Sequence, residues 1–235
     1  MDLEVRWLGR MEYDEALQRQ HELARARADG QVPDQLLLLE HPPVLTLGRQ
    51  ADPAHIRTAP EELARLGITV HRVERGGEVT FHGPGQLVAY PIIGLAARGI
   101  LLRPFVRVLE AAMRDTCAAF GVAADRRDGL PGCWVDPAGP RPRKIGALGI
   151  RVERGVTYHG SALNVTTDLG GFALIDPCGL PDVEVTSIAR ELGWTPAQAA
   201  SLPLEQAAEV FASAFRDALE AASQARRPLA AAAGG

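Results

Sequence analysis

The sequence predicts one α/β domain, from three observations. Strand-length apolar runs, Gln35 to Glu40 and Val44 to Gly48, alternate with stretches of amphipathic helical periodicity at residues 11–29, 103–121 and 203–222. No repeat or linker divides the chain. The 235 residues are 46% hydrophobic and 23% charged, enough apolar material for one substantial core. The domain is expected to span residues 1–222, with the Ala/Arg/Gly segment 223–235 a disordered tail.

Residues 11–29 space Tyr13, Ala16, Leu17, Gln20, Leu23 and Ala24 along one helical face, and Gly30 supplies a C-terminal stop. The two apolar runs that follow are short and bounded by a His-Pro-Pro break, as expected of buried strands, with His41 in the turn. After a loop from Asp52 to Thr58, Pro60 to Gly67 carries proline at the first helical position, acids in the first turn and a closing glycine. Ile68 to Glu74 alternates as a strand. The helix from Arg103 to Gly121 puts Phe105, Leu109, Ala112, Met113 and Thr116 on one face, with Cys117 on or beside it as a small core residue. Cys133 has the same character at the start of a short strand, and the proline-rich loop Asp136 to Arg143 is exposed and basic. Lys144 to Arg151 and Val156 to Val165, joined through Glu153-Arg-Gly155, form a hairpin. Leu169 to Phe172 is a turn with a short helical segment, Thr186 to Gly193 starts with helix-capping residues, and Pro203 to Ala222 is a helix with Leu204, Ala207, Ala208, Phe211, Phe215 and Leu219 inward.

The stretch Arg75-Gly-Gly-Glu-Val-Thr-Phe-His-Gly-Pro-Gly-Gln-Leu-Val-Ala-Tyr-Pro91 is a strand, a turn and a strand. Gly76 and Gly77 remove side chains that would block a ligand, and Gly83, Pro84 and Gly85 turn the chain directly after His82. A tight connection and a binding site are both compatible with such a turn. Two further stretches favour a site: Lys144-Ile-Gly-Ala-Leu-Gly-Ile-Arg-Val and Asp176-Pro-Cys-Gly-Leu180. Of the 25 basic residues Lys144 is the only lysine, and Asn164 is the only asparagine. Arginine stays protonated, whereas a lysine can exchange protons or act as a compact ammonium, so a lone lysine beside glycines is a candidate for chemistry.

Cys178 sits in a loop between proline and glycine, where sulfur is accessible and backbone N–H groups can meet an oxyanion, so it is the nucleophile candidate. A free thiol ionises near pH 8.5; holding its pKa about two units lower makes it mostly thiolate at neutral pH, a difference worth about 2.7 kcal/mol. One nearby ammonium such as Lys144 can supply that. His82 and His159 are possible proton carriers, or structural strand histidines.

Composition excludes other classes. A net charge of −4 argues against a general nucleic-acid binder. Three widely spaced cysteines suggest neither a disulfide framework nor a four-ligand zinc site. No apolar run approaches the roughly 20 residues of a membrane span, and Met1-Asp-Leu-Glu lacks the regions of a signal peptide, so a cytoplasmic location is expected.

Four linked motifs, Arg-Gly-Gly-x-x-Thr-x-His-Gly-Pro-Gly-Gln-Leu-x-x-Tyr-Pro, Lys-Ile-x-Ala-x-Gly-Ile-Arg, His-Gly-x-Ala-Leu-Asn-Val and Pro-Cys-Gly-Leu followed by Thr-Ser, span about Leu36 to Ile188. Together they resemble the lipoyl(octanoyl) transferase family. The resemblance implies a mixed β-sheet flanked by helices, the fold shared with biotin and lipoate protein ligases. It implies ATP-independent transfer of an octanoyl or lipoyl group, without cofactor or metal, from octanoyl-acyl carrier protein. The acceptors would be lysines of the lipoyl domains of 2-oxoacid dehydrogenases and of the glycine cleavage H protein, in the first step of protein lipoylation. Carried over by residue, Cys178 forms an acyl-thioester and Lys144 lowers the thiol pKa and helps accept the amine's proton. Arg75, Gly76, Gly77, Glu78, Val79, Thr80, Phe81, His82, Ala147, Leu148, Gly149, Gly160, Ser161 and Ala162 line the acyl site. Two positions depart from the pattern, with Gly146 in place of alanine and Ser161 in place of a larger apolar residue, and both bear on pocket shape.

The residues agree independently. A thioester is already activated, and no Gly-x-x-x-x-Gly-Lys-Ser/Thr phosphate loop is present. Burying about six methylenes supplies up to about 5 kcal/mol. Acidic protein partners would dock on Arg126, Arg127, Arg141 and Arg143. The competing readings are an ATP-dependent lipoate or biotin ligase, a non-catalytic module binding acyl carrier protein, and a thiol hydrolase using His82 or His159.

Overall fold

A computed structural model describes residues 2–176 and 183–225. In chain order the elements are β1 (Leu3–Arg10), α1 (Tyr13–Ala28), β2 (Asp34–Glu40), β3 (Val44–Leu47), α2 (Pro60–Arg65), β4 (Thr69–Arg72), β5 (Val79–His82), β6 (Gln86–Ile92) and α3 (Leu102–Ala119). They continue with β7 (Ala124–Arg127), β8 (Leu130–Val135), β9 (Arg143–Glu153), β10 (Val156–Asn164), β11 (Glu184–Val185), α4 (Ile188–Glu191), α5 (Pro196–Ser201) and α6 (Leu204–Gln224). Among the described residues no helix is long and apolar enough to cross a membrane.

The mixed α/β architecture follows from strands apolar on both faces. In β2, Leu36 and Leu38 pack into a core with Leu87, Phe105, Leu109 and Phe211, covered by α3 and α6. The alternating Leu37 and Leu39 face the opposite way, onto Ala16 of α1 and onto Val88 and Tyr90. Helices on both faces bury the central strands β2, β6 and β10 of the large sheet, whose order is β1-β2-β6-β10-β9-β8-β7, with β11 pairing β9 where β10 has ended. β1 runs parallel to β2 and the next pairs are antiparallel. The predicted β9–β10 hairpin is present, its turn built on Arg154 and Gly155 at φ 49° and 78°.

A smaller sheet, β4-β3-β5, has its own core of Leu45, Leu47, Leu63, Val79, Phe81 and Ile175. The runs read from sequence as neighbouring strands are thus divided between two sheets: β2 and β6 lie in the large one, β3 and β5 in the small one. The His-Pro-Pro break and the Gly83-Pro-Gly85 turn are the two corners by which the chain passes between sheets. The corners touch, because Gly85 N–H donates to the Glu40 carboxylate at 2.9 Å. Gly85 has φ 78°, and a Cβ there would lie 2.6 Å from Thr166 Oγ1, so glycine is required.

Cys117 and Cys133 are buried free thiols, as expected. β1, β7 and α5 are additions to the sequence reading, and α6 runs to Gln224, past the expected start of the tail. The remainder of that tail lies outside the described residues.

Candidate active site

The seam between the two sheets holds a cavity of about 500 Å3. One wall is the small sheet and its entry loop, Arg75 to Thr80 with His82; the other is Ala147 to Ile150 of β9 and His159 to Ala162 of β10. Tyr13, Val88 and Tyr90 close the α1 side, while Leu102, Val106, Leu130 and Pro131 extend the lining toward the start of α3. That extension lies where β8 parts from β9, whose pairing goes no further along β9 than Cys133 opposite Gly146.

Glycines set the width of the seam. A Cβ at Gly48 would lie 2.2 Å from Gly77 O, and one at Gly149 would lie 2.6 Å from Gly76 O. Backbone therefore meets backbone directly, and Gly76 N–H bonds Ile150 O at 3.2 Å. Arg75 pins the loop from inside. It is buried and donates Nη2–H to Thr46 O at 2.7 Å and to Thr46 Oγ1 at 2.8 Å, and Nη1–H to Gly76 O at 3.1 Å.

Lys144 reaches the cavity because of a β-bulge. Cys133 opposes Gly146 and Trp134 opposes Lys144, so β9 carries one extra residue, Ile145, over that step. Regular alternation would put Lys144 on the same face as Gly146, whose missing Cβ would meet Met113 Sδ at 2.5 Å in the core under α3. The bulge turns Lys144 onto the face of Ala147 and Gly149 instead. Its ammonium lies over the Trp134 ring at 5.1 Å, and Gly132, whose Cβ would lie 3.0 Å from Lys144 Cε, makes room for the stem. The chain re-enters the described structure directly beside it, since Val185 pairs with Lys144 and Thr186 N–H donates to Lys144 O at 2.9 Å.

Three histidines, His41, His82 and His159, are buried, and burial favours their neutral form. His41, expected in a turn, stands fully buried at the first corner, with Met11 O at 2.7 Å from Nδ1 and the Tyr90 hydroxyl at 2.8 Å from Nε2. Burial lowers its pKa to about 4. His82, at the second corner, is 5.8 Å from it between ring centroids and has Nδ1 2.7 Å from Gln86 Oε1. Burial, helped by the neighbouring His41, lowers its pKa to about 3. His159 is also lowered to about 3 by burial, and it takes the left-handed φ of 54° while its N–H donates to Gln20 Oε1 at 2.7 Å.

Most residues expected to line the acyl site do border this cavity. Phe81 does not: its ring turns into the small sheet's core, 5.5 Å from Phe172. Strand alternation explains this, because Thr80 and His82 take the cavity face. Gly146 bears on the core behind the site and not on the pocket, whereas Ser161 lines the cavity with a buried hydroxyl that has no hydrogen-bond partner among the described residues. Among the predicted docking arginines, Arg126 and Arg141 are exposed, Arg127 lies over Trp134, and Arg143 is held in a two-point ion pair with Glu191 at 2.8 and 2.9 Å. Arg143 is therefore neutralised within the chain. Cys178 lies outside the described residues. Tyr13, Tyr90, Gln86 and Asn164 are site residues not singled out from sequence, and only the uniqueness of Asn164 marked any of them.

The family model for the lipoyl protein ligase A/B catalytic domain matches residues 12–216. The chain belongs to that family. Among its relatives in the family, an octanoyltransferase of Acidobacterium capsulatum is 45% identical over 223 residues, covering 92% of this chain and 91% of the relative. An octanoyltransferase of Chloroflexus aurantiacus is 48% identical over 213 residues, covering 89% and 94%. The bipartite lipoate protein ligase of Thermoplasma acidophilum superposes with a TM-score of 0.59 at 14% identity, over 95% of this chain and 92% of that one, and so shares the fold. The lipoyl protein ligase A/B catalytic domain thus carries here, at its sheet seam, a lysine, a neutral histidine pair and a glycine-walled cavity.

Proposed function

We propose that this acyltransferase moves an octanoyl group from acyl carrier protein to a lysine of a lipoyl domain, through a thioester on Cys178. The carrying observation is the glycine-walled, mostly apolar cavity at the seam with Lys144 turned into it by the β9 bulge. A six-carbon ring fills a cavity of about 150 Å3, so an eight-carbon chain needs roughly 200 Å3. The cavity of about 500 Å3 accommodates that chain together with a lysine side chain.

In the first half-reaction the Cys178 thiolate attacks the carrier thioester. A new C–S bond forms, the old one breaks, and the carrier thiol leaves with a proton. In the second, the acceptor amine attacks Cys178's thioester, the C–N bond forms and the Cys178 thiol is regenerated. Lys144 stabilises the thiolate in both steps and relays the proton. Both acyl transfers start from a thioester, an already activated acyl donor, so neither needs a nucleotide. Donor and acceptor are read as acyl carrier protein and the lipoyl domains of 2-oxoacid dehydrogenases and glycine cleavage H protein, and Arg126 and Arg141 are the exposed cations for docking them.

Intact mass spectrometry after mixing with octanoyl-carrier protein tests this. An octanoyl adduct should form, vanish in Cys178→Ser and move to added lipoyl domain. Transfer that persists in Cys178→Ser refutes the intermediate, and product from free octanoate with ATP would indicate a ligase.

A further inference from the structure

We infer that a relay of two side-chain amides, Asn164 and Gln86, fixes His82 as a neutral hydrogen-bond acceptor whose Nε2 holds the incoming lysine amine. The relay is anchored on backbone carbonyls, which only accept. Asn164 Nδ2–H donates to Thr186 O at 3.0 Å, so Asn164 Oδ1 faces the other way and accepts from Gln86 Nε2–H at 2.9 Å. Gln86 Nε2–H also donates to Phe81 O at 3.1 Å, which commits both protons of that amide. Gln86 Oε1 is left facing His82 Nδ1 at 2.7 Å.

Flipping Gln86 would set its oxygen against Phe81 O and Asn164 Oδ1 together. Flipping Asn164 as well would set oxygen against Thr186 O. Two fixed carbonyls thus give the chain of amides one polarity. An amide oxygen accepts only, so Nδ1 of His82 carries the proton. A neutral imidazole has one N–H, and Nε2 is therefore a lone pair. Gln86 and Asn164 are both buried, so water does not compete for these groups.

The consequence for chemistry rests on the function proposed above. Arg75, which shares the cavity with His82, is a donor only, and Lys144, left neutral once it has protonated the carrier thiol, is taken up with relaying the amine's departing proton to sulfur, so the amine's remaining N–H needs another acceptor. An attacking amine must aim its lone pair at the thioester carbon while something accepts one of its N–H bonds. His82 Nε2 does that. The C–N bond then forms, the C–S bond breaks, and the amine's proton ends on the departing sulfur. Thiolate attack in the first half-reaction brings no N–H, so His82 matters only in the second. Gln86 and Asn164 act through His82 and are positioning residues.

The test has two arms. In protein labelled with 15N-histidine, the His82 signal, assigned by its loss in His82→Gln, should be the Nδ1–H tautomer at neutral pH. Gln86→Leu, which removes the acceptor facing Nδ1, should give a tautomer mixture. An Nε2–H or imidazolium His82 in the unaltered chain overturns the relay. In the second arm, formation of the acyl adduct and its aminolysis by lipoyl domain are timed separately. His82→Asn reaches only the Nδ1 position and should slow aminolysis by roughly 10- to 100-fold more than it slows adduct formation. His82→Gln, which places an amide oxygen near the Nε2 position, should recover most of that loss. Equal slowing of both steps, or no slowing, overturns the assignment. The tautomer is read without substrate, so a chain that formed no adduct would refute the thioester and leave the relay to be decided by the spectrum.

Discussion

Replacing Gly149 with alanine tests whether backbone-to-backbone contact at the seam shapes the acyl site. The new Cβ would stand 2.6 Å from Gly76 O and 3.1 Å from Arg75 Cδ. Reaching ordinary contact at 3.4 Å requires the Gly76 carbonyl to retreat by 0.8 Å. That displacement takes the Gly76 N–H bond to Ile150 O, now 3.2 Å, past hydrogen-bonding range. Losing the bond costs about 1 kcal/mol and overpacking a further 1–2 kcal/mol. At roughly 2–4 °C per kcal/mol for a chain of this size, Tm should fall by about 5–10 °C. The retreat also loosens the wall around the acyl chain. Two methylenes distinguish octanoyl from hexanoyl, worth about 1.6 kcal/mol or roughly 15-fold in kcat/KM when fully buried, and that ratio should shrink in the variant. Gly76→Ala is the control, because a Cβ there meets only Ile150 O at an ordinary 3.5 Å. Scanning fluorimetry and kcat/KM with hexanoyl-, octanoyl- and decanoyl-carrier protein measure both effects. If Gly149→Ala and Gly76→Ala behave alike, the glycine contact does not set the site.

Lys144→Arg keeps the charge but must place a larger planar group beside Gly132 and Trp134; octanoyl transfer should fall by at least about 100-fold with Tm nearly unchanged, and full activity would show that charge alone suffices. Asp34 is 1% exposed, pairs with Arg27 at 2.6 Å and with Arg98, and accepts Gly94 N–H at 2.9 Å, so Asp34→Ala should cost about 3–5 kcal/mol in urea unfolding. Acid should destabilise the fold before carboxylates titrate: His41, His82 and His159 have folded pKa values of about 4, 3 and 3 against 6.5 unfolded. Between those values the unfolded chain binds more protons, so stability is full above pH 6.5 and falls as pH drops, by up to about 1.4 kcal/mol per pH unit for each imidazole. A urea midpoint unchanged from pH 7 to pH 5 would contradict their burial as neutral groups.

Local chemistry made much of the fold legible. The helices at α1, α3 and α6 follow from apolar periodicity, and the β9–β10 hairpin from its turn residues. β1 was also readable, since Leu3, Val5 and Trp7 alternate with Glu4 and Arg6. What local sequence does not carry is pairing. Nothing within Arg75 to Pro91 says that β5 pairs with β3 and β6 with β2, because those partners lie far back in the chain. The bulge is invisible for a related reason. Lys144-Ile-Gly reads the same with or without an extra residue, and only the opposing Cys133 and Trp134 reveal it. The placement of Phe81, by contrast, follows from period-two alternation, which sets its ring opposite Thr80 and His82. His41 does lie in the turn between β2 and β3, and what local sequence does not show is its burial, because its partners Met11 and Tyr90 come from distant parts of the chain.

A site at a seam couples chemistry to the fit of two sheets. The donor, Lys144, is fixed to the large sheet by β8 and β11, and the acceptor, His82, ends a strand of the small sheet. Their separation therefore depends on contacts that cross the seam, Gly76 to Ile150 and Gly85 to Glu40, and on Arg75 to Thr46, which ties the loop bearing Gly76 to the small sheet. Thr46 is fully buried in the central strand of the small sheet and accepts from Arg75 through both its carbonyl and its hydroxyl. Thr46→Val keeps the shape and the carbonyl but removes the hydroxyl acceptor, leaving part of a buried guanidinium without that bond, at about 1–3 kcal/mol. If the seam sets the donor–acceptor distance, this variant should slow aminolysis of the acyl adduct more than its formation, although Thr46 borders neither reacting group. A loss confined to Tm, with both half-reactions unaltered, would show that the seam stabilises the fold without tuning the site.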